Sequence, residues 1–113
     1  MNTVIIALLI GRDGSQGFPG KNIHPVLGKA LMEYPLIAAR EAKIIDRIYV
    51  STDSENIREI GKKYGARIIN RPAELCNNTA LGENAFEHGY WEIKKELKQE
   101  GESVELMVLL MCN

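Results

Sequence analysis

The sequence predicts an α/β protein with a three-layer α/β/α arrangement around a mainly parallel sheet. Apolar segments rich in β-branched residues alternate along the chain with amphipathic segments, which is typical of right-handed βαβ crossovers. The first apolar segment, residues 3–10, carries hydrophobic residues on both faces of a strand, as expected when helices cover both sides of a parallel sheet. We therefore expect a buried first strand at the centre of the fold.

The remaining elements follow in order. Four strands are predicted at residues 3–10, 47–52, 66–69 and 104–111. Three helices are predicted at residues 30–43, 55–63 and 82–98. Pro35 fits the first of these only in its opening turn, where a missing N–H costs little. Asp53 or Ser54 caps the second helix and Gly65 ends it.

The third predicted helix has one apolar stripe and one residue that lies off it. The stripe consists of Phe86, Tyr90, Ile93 and Leu97, spaced as on one helical face. Trp91 lies off this stripe, and either a subunit contact or a second buried face explains it. We expect His88 and the charged residues 92–100 to lie on solvated faces.

Length and composition restrict the class of protein. A chain of 113 residues with 45% hydrophobic and 26% charged residues predicts one soluble globular domain over residues 1–113. The net charge of -1 argues against a general nucleic-acid binder. No apolar run approaches the ~20 residues of a membrane span, and the start lacks the features of a signal peptide. Cys76 and Cys112 are far apart in sequence, which predicts reduced thiols in a cytoplasmic protein.

The predicted sheet places polar segments together at one edge. In open α/β sheets, ligands bind beyond the carboxyl ends of the strands. Segments 11–22, 51–53, 70–72 and 112–113 follow the four predicted strands and bring two arginines, a lysine and small polar groups to this edge. We expect an anion there, most naturally a phosphate chain.

The segment GRDGSQGFPGKN, residues 11–22, is not one of the common phosphate loops. Ser15 stands where a Walker A loop needs its first glycine, and Asn22 replaces the magnesium-binding hydroxyl. The dinucleotide pattern GxGxxG is also absent, because the glycines of residues 11–22 are spaced by three throughout. A flexible surface turn is the alternative, but the position after a central strand favours ligand binding.

Several motifs, in order, resemble the CMP-sialate and CMP-Kdo synthetase family of cytidylyltransferases. The sequence GRDGSQGFPGKNIHPVLGKALMEY resembles the family's opening signature, and DRIYVSTDSENIREIGKKYGARII its second strand, turn and helix. RPAEL at residues 71–75 and Asn-Thr-Ala at 78–80 resemble further family segments. The resemblance implies a Rossmann-like fold of the nucleotide-diphospho-sugar transferase type. It covers nearly the whole chain and corresponds to the N-terminal half of such an enzyme, so we expect a longer protein and no catalysis by these residues alone.

The resemblance also implies roles for individual residues. Arg12 and Lys21 correspond to the family's basic residues at the CTP phosphates, which would act in catalysis because charge builds on departing pyrophosphate. The residues that correspond to the nucleotide site are Ile10, Gly11, Arg12, Gly14, Ser15, Gln16, Lys21, Asn22, Arg71, Thr79 and Ala80. Gln16 stands where the family has a lysine, and Met111 where sialate synthetases have a glutamine that faces the sugar.

The implied reaction transfers CMP from CTP to a sialate-like, legionaminate-like or Kdo-like 2-keto sugar acid for cell-surface polysaccharide synthesis. Mg²⁺ is the implied cofactor, with ligands outside this segment, and a cytoplasmic homodimer without nucleic-acid or membrane partners is implied. A nucleotidyltransferase for another acceptor or base, or a non-catalytic nucleotide-binding or assembly module, remains an alternative.

Overall fold

The structure is a parallel sheet with helices on both faces. The computed structural model of the chain describes residues 2–11, 25–26, 28–30, 32–70 and 82–110. The parallel strands are β1 (Asn2–Gly11), β4 (Arg47–Thr52), β5 (Arg67–Asn70) and β6 (Glu102–Leu110). The helices are α1 (Glu33–Glu41), α2 (Glu55–Lys63) and α3 (Gly82–Gln99). A short antiparallel pair, β2 (Pro25–Val26) and β3 (Lys29–Ala30), precedes α1.

Strand β1 lies inside the sheet, whose order is β5-β4-β1-β6. Its side chains alternate between two hydrophobic cores: Ile6 and Leu8 pack with α3 on one face, and Leu9 packs with α1 and α2 on the other. Burial on both faces is the reason that this strand is apolar throughout. The predicted α/β class with a mainly parallel sheet is confirmed.

Helix α1 is shorter than the sequence predicts. Residues 30–43 were expected to be helical, but Ala30 pairs with Pro25 in the β2–β3 hairpin and the helix begins at Glu33. Gly28, with a φ of 87°, occupies the turn of this hairpin, a left-handed conformation that glycine adopts without strain. Pro35 lies in the first turn of α1, as predicted.

A buried carboxylate joins α1 to the end of α2. Glu33 accepts hydrogen bonds from the Tyr64 hydroxyl at 2.6 Å and from Lys63 Nζ at 3.3 Å. Its position in the first turn of α1 also places the negative charge near the positive end of the helix dipole. The pKa of Tyr64 is raised, because its hydroxyl donates to this carboxylate.

Helix α3 packs on the sheet through a slightly different face from the predicted one. Ile93 and Leu97 are fully buried and Phe86 packs beside them, as predicted. Tyr90 lies outside this cluster, and Gly89 takes the place in the stripe that the sequence analysis gave to Tyr90. A Cβ atom on Gly89 would lie 2.9 Å from Leu8 Cδ2, so the missing side chain lets α3 approach β1 closely.

An ion-pair network covers the sheet beside α3. Tyr49 donates to Glu96 Oε2 at 2.5 Å, and Arg67 donates to both carboxylate oxygens of Glu100, at 2.6 and 3.2 Å. Burial, together with the negative charge of Glu96, raises the pKa of Tyr49 well above its usual range. The hydrogen bonds from Arg67 lower the pKa of Glu100. This network fixes the C-terminal part of α3 against β4 and β5.

We predict that the buried side chains of β1 on the α3 face contribute strongly to the stability of the fold. Ile6→Ala removes a fully buried side chain from β1 and should lower the free energy of unfolding by ~2–5 kcal/mol. Ile44→Ala is the matched control, because Ile44 is 65% exposed, and should change it by less than ~0.5 kcal/mol. Urea denaturation followed by circular dichroism measures both. Similar losses in the two variants would contradict the assignment of Ile6 to the core.

We also predict a contribution of Glu100 to stability that depends on pH. Because the folded-state pKa of Glu100 is lowered, its stabilising effect is present above the unfolded pKa of ~4.3 and disappears as the pH falls through the lower folded value. Glu100→Gln should therefore destabilise the protein at neutral pH and have little effect near pH ~3. Urea denaturation at both pH values tests this, with the exposed Glu59→Gln as control. A penalty that is the same at both pH values would contradict it.

Candidate functional site

Three strands end at the same level, at the carboxyl edge of the sheet. Gly11 at the end of β1 pairs with Thr52 at the end of β4, and Thr52 pairs with Asn70 at the end of β5. The predicted convergence of the strand ends is therefore confirmed for these three strands. We call this edge the carboxyl rim; it is defined by Gly11, Thr52 and Asn70.

A row of three residues lies one step below the carboxyl rim. Ile10, Ser51 and Ile69 pair across β1, β4 and β5. The Ile10 side chain packs against the hydrophobic core between β1 and α3, so its backbone, and not its side chain, is available to a ligand. Ser51 is fully buried, and its hydroxyl makes no hydrogen bond to any residue that the structure describes. An unpaired buried hydroxyl is costly, and Ser51 is therefore a polar group held directly beneath the rim.

The turn between β4 and α2 uses its two hydroxyl groups internally. The Thr52 hydroxyl accepts from the Ser54 N–H at 2.9 Å, and the Ser54 hydroxyl accepts from the Ile57 N–H at 3.2 Å, which caps α2. The alternative cap at Asp53 is wrong, because Ser54 has that role. Asp53 is exposed beside the carboxyl rim and contributes a carboxylate there.

Arg58 is a cation close to the carboxyl rim that the sequence analysis missed. Its Nη2 donates to Asn70 Oδ1 at 3.0 Å, and its Nη1 pairs with Glu55. A cation near the start of a helix is unfavourable for the helix dipole. The position of Arg58 in the sequence therefore already indicated a role for its side chain outside the helix. The Arg58 side chain therefore links α2 to the last residue of β5, where the chain leaves the sheet.

Most of the predicted nucleotide-site residues lie outside the described part of the chain. Gly11 lies at the carboxyl rim, and Ile10 lies one step below it at the end of β1. The others lie in segments 12–24 and 71–81, outside the described residues: Arg12, Gly14, Ser15, Gln16, Lys21, Asn22, Arg71, Thr79 and Ala80. Both segments leave the sheet at the carboxyl rim, since Gly11 and Asn70 are the last residues before them.

His88 is less exposed than the sequence analysis predicted. It lies with Tyr49, Asn70 and Glu92 along a groove of about 430 Å³ between α3 and β5. Its Nε2 is 3.9 Å from Glu92 Oε1, and its Nδ1 is buried without a partner among the described residues. The prediction of a solvated His88 is therefore wrong, because the side chain turns toward the sheet.

The described residues do not form a metal site. Over the described ranges, no group of three or more histidine, cysteine, aspartate or glutamate side chains could hold a metal ion. Glu55, the acidic residue nearest in sequence to Asp53 beside the carboxyl rim, pairs with Arg58. Within the described residues, no helix has the length and apolar character needed to cross a membrane.

Comparison with known proteins identifies relatives of this chain. A family model described as cytidylyltransferase matches residues 6–89. The chain is 35% identical over 88 residues to the N-acylneuraminate cytidylyltransferase of Escherichia coli O18:K1:H7. The aligned region covers 78% of this chain and 21% of that protein. It is 36% identical over 87 residues to the pseudaminic acid cytidylyltransferase of Campylobacter jejuni, and this aligned region covers 73% of this chain and 38% of that protein.

A solved structure supports the fold. The CMP:2-keto-3-deoxy-manno-octonic acid synthetase complexed with CTP superimposes with a TM-score of 0.66 at 18% identity, covering 80% of this chain and 36% of that one. At this identity the likeness shows the fold alone. The family match extends over most of the chain, and both segments that leave the carboxyl rim lie within it. The chain belongs to the cytidylyltransferase family.

Proposed function

We propose that this chain forms the CTP-binding part of an enzyme that transfers CMP from CTP to a 2-keto sugar acid and releases pyrophosphate. The observation that carries the proposal is the carboxyl rim, where Gly11, Thr52 and Asn70 lie side by side. Ligands of open α/β sheets bind beyond such an edge. The two segments with the family's nucleotide motifs both start there.

The first segment, residues 12–24, supplies the phosphate contacts in this proposal. Arg12 and Lys21 hold the triphosphate, and Gly14, Ser15, Gln16 and Asn22 surround it. A glycine-rich segment that follows a central strand can bring backbone N–H groups close to phosphate oxygens. The burial of β1 on both faces supports this, because it gives the segment a rigid starting point at Gly11.

The second segment, residues 71–81, surrounds the base and ribose in this proposal. Arg71, Thr79 and Ala80 contribute from this segment, and the backbone of Ile10 and Gly11 from the end of β1. The contact between Arg58 and Asn70 supports a fixed starting point for this segment as well. The two segments would thus approach the nucleotide from adjacent strands.

The reaction is a displacement at phosphorus. The anomeric hydroxyl oxygen of the sugar acid forms a bond to the α-phosphorus of CTP, and the hydroxyl proton is lost to a base. The bond between the α-phosphorus and the oxygen that bridges to the β-phosphate breaks, which releases pyrophosphate. Negative charge grows on the departing pyrophosphate, so fixed cations near it lower the barrier. Arg12 and Lys21 have this role in the proposal.

Mg²⁺ belongs to the proposal only as an ion whose ligands lie elsewhere. Magnesium neutralises phosphate charge in nucleotidyl transfer and binds through carboxylates. The described residues supply no such set, and we derive no step through the metal. A homodimer and a cytoplasmic location are part of the proposal on the resemblance alone.

The acceptor class follows the names of the relatives. The matched proteins are named for N-acylneuraminate and for pseudaminic acid, which supports an acidic sugar as the acceptor. The chain spans 21% and 38% of the lengths of these two proteins. Met111, in place of a glutamine, is consistent with an acceptor that differs from sialate.

We predict that the protein prefers CTP to other nucleotides. Calorimetric titration with CTP, UTP, ATP and GTP should give the tightest binding for CTP, because contacts to a base edge distinguish cytosine from uracil and from purines. Preference for a purine nucleotide would replace the proposal with a nucleotidyltransferase for another base. The absence of binding to all four would favour a non-catalytic module.

We predict that the two basic residues of the first segment contribute most to this affinity. Lys21→Ala and Arg12→Ala should each weaken CTP binding by ~1.5–3 kcal/mol, about 10- to 150-fold, as expected when a charged hydrogen bond is lost. Lys62→Ala, on the exposed last turn of α2, is the matched control and should leave the affinity unchanged. Gln16→Lys should leave binding unchanged or tighten it.

Calorimetry on folded variants, checked by circular dichroism, measures these effects. Unchanged affinity in both the Lys21 and the Arg12 variants would show that residues 12–24 are only a connecting turn. A large loss in Gln16→Lys would show that Gln16 has a contact of its own.

A further inference from the structure

An exposed aromatic residue with a fixed orientation lies on α3, away from the carboxyl rim. Trp91 is 62% exposed, so the second buried face considered in the sequence analysis is wrong. The Lys94 ammonium lies 5.0 Å from the centre of the Trp91 ring and 5.3 Å from that of Tyr90, and the two rings meet edge to face at 5.6 Å. Cation–π contacts of this kind restrict the orientation of an exposed ring.

A groove with a mostly apolar lining adjoins Trp91. It has a volume of about 600 Å³ and lies between α3 and the start of β6. The residues that line it are Trp91, Glu92, Lys94, Lys95, Lys98, Glu102 and Ser103. The aliphatic stems of lysine can cover apolar surface while the ammonium groups stay in water. We call this surface the Trp91 groove.

The Trp91 groove carries a net positive charge. Lys94, Lys95 and Lys98 make no ion pair with any residue that the structure describes. The carboxylate of Glu102 forms an ion pair with Arg47, which donates hydrogen bonds to its two oxygens at 3.1 and 3.3 Å. The three lysines therefore face one remaining carboxylate, that of Glu92, which is 3.9 Å from His88.

We propose that the Trp91 groove binds an acidic segment of a partner protein that carries an apolar side chain. The apolar side chain would lie against Trp91, and carboxylates of the segment would pair with Lys95 and Lys98. Exposed tryptophans contribute strongly to protein interfaces, and complementary charge around them gives specificity. Nucleic acid is a poor match, because the groove is apolar and the chain has a net charge of -1.

The Trp91 groove and the carboxyl rim lie at opposite ends of the sheet. Glu102 and Ser103 are the first residues of β6, whereas the carboxyl rim is formed by the last residues of β1, β4 and β5. The groove and the proposed nucleotide site are argued from different residues. The proposal therefore does not depend on the proposed function.

Trp91 makes the test direct, because it is the only tryptophan in the chain. The probe is a short amphipathic peptide of glutamate and leucine, titrated while the fluorescence of Trp91 is recorded. We expect a saturable blue shift of the Trp91 emission. The affinity of the peptide should fall as salt is added, since the carboxylate–lysine contacts are exposed. A peptide with lysine in place of every glutamate, and a polyglutamate without leucine, should bind at least tenfold more weakly.

Two double variants with equal net charge separate the groove from general electrostatics. Lys95→Glu with Lys98→Glu should weaken binding of the acidic peptide at least tenfold. Lys43→Glu with Lys62→Glu changes two exposed lysines elsewhere and should have a much smaller effect. CTP affinity, measured in parallel, should be the same in both double variants, so that failure of this proposal is distinct from failure of the proposed function.

Three results would overturn the proposal. Equal affinity of the acidic and the basic peptide would show that charge is not recognised. Equal losses in the two double variants would show that the lysines of the groove are not the contact. Self-association of the chain without peptide, abolished by Lys95→Glu with Lys98→Glu, would show that a second copy occupies the groove instead.

Discussion

The burial of β1 on both faces is the constraint on which the other features depend. Ile6 and Leu8 pack against α3, and Leu9 packs against the other two helices, so that no face of this strand can be polar. A strand covered on both sides has neighbours joined to it by crossover helices, which makes the sheet parallel. Parallel strands end at the same edge, and the carboxyl rim follows from this. Gly89 completes the arrangement by letting α3 approach Leu8 closely.

The two ends of the sheet have different chemistry. At the carboxyl rim, backbone groups, small hydroxyls and the Arg58–Asn70 contact lie at the ends of β1, β4 and β5. At the amino end, Arg47 pairs with Glu102, and Asp46 exchanges hydrogen bonds with the Ile5 backbone at 2.7 and 2.8 Å. Fixed ion pairs at the amino end stabilise the packing of strands, whereas at the carboxyl end the hydroxyl of Ser51 has no partner among the described residues. This division separates stability from the proposed binding function.

The polar residues of the β4–α2 turn show how one motif serves two purposes. Thr52 and Ser54 are buried and satisfy backbone N–H groups, so substitution of either would affect the turn before it affected a ligand. Ser51 and Asp53 have no such partner among the described residues. The alternation of side chains along β4 explains part of this difference, since Ser51 and Thr52 point to opposite faces of the sheet. Resemblance to a family motif alone does not separate these roles.

The sequence by itself determined the class of fold, the parallel strands and the family, and it predicted a site at the carboxyl edge of the sheet. These depend on hydrophobic periodicity and on local motifs, which are properties of neighbouring residues. Only the tertiary structure decided that Ser54 and not Asp53 caps α2, that Gly89 replaces Tyr90 on the buried stripe, and that Arg58 reaches Asn70. It also decided that His88 turns toward the sheet and that Trp91 stays exposed. The close approach of α3 to Leu8 at Gly89 and the contact of Arg58 with Asn70 depend on packing between elements remote in sequence, which no local pattern determines.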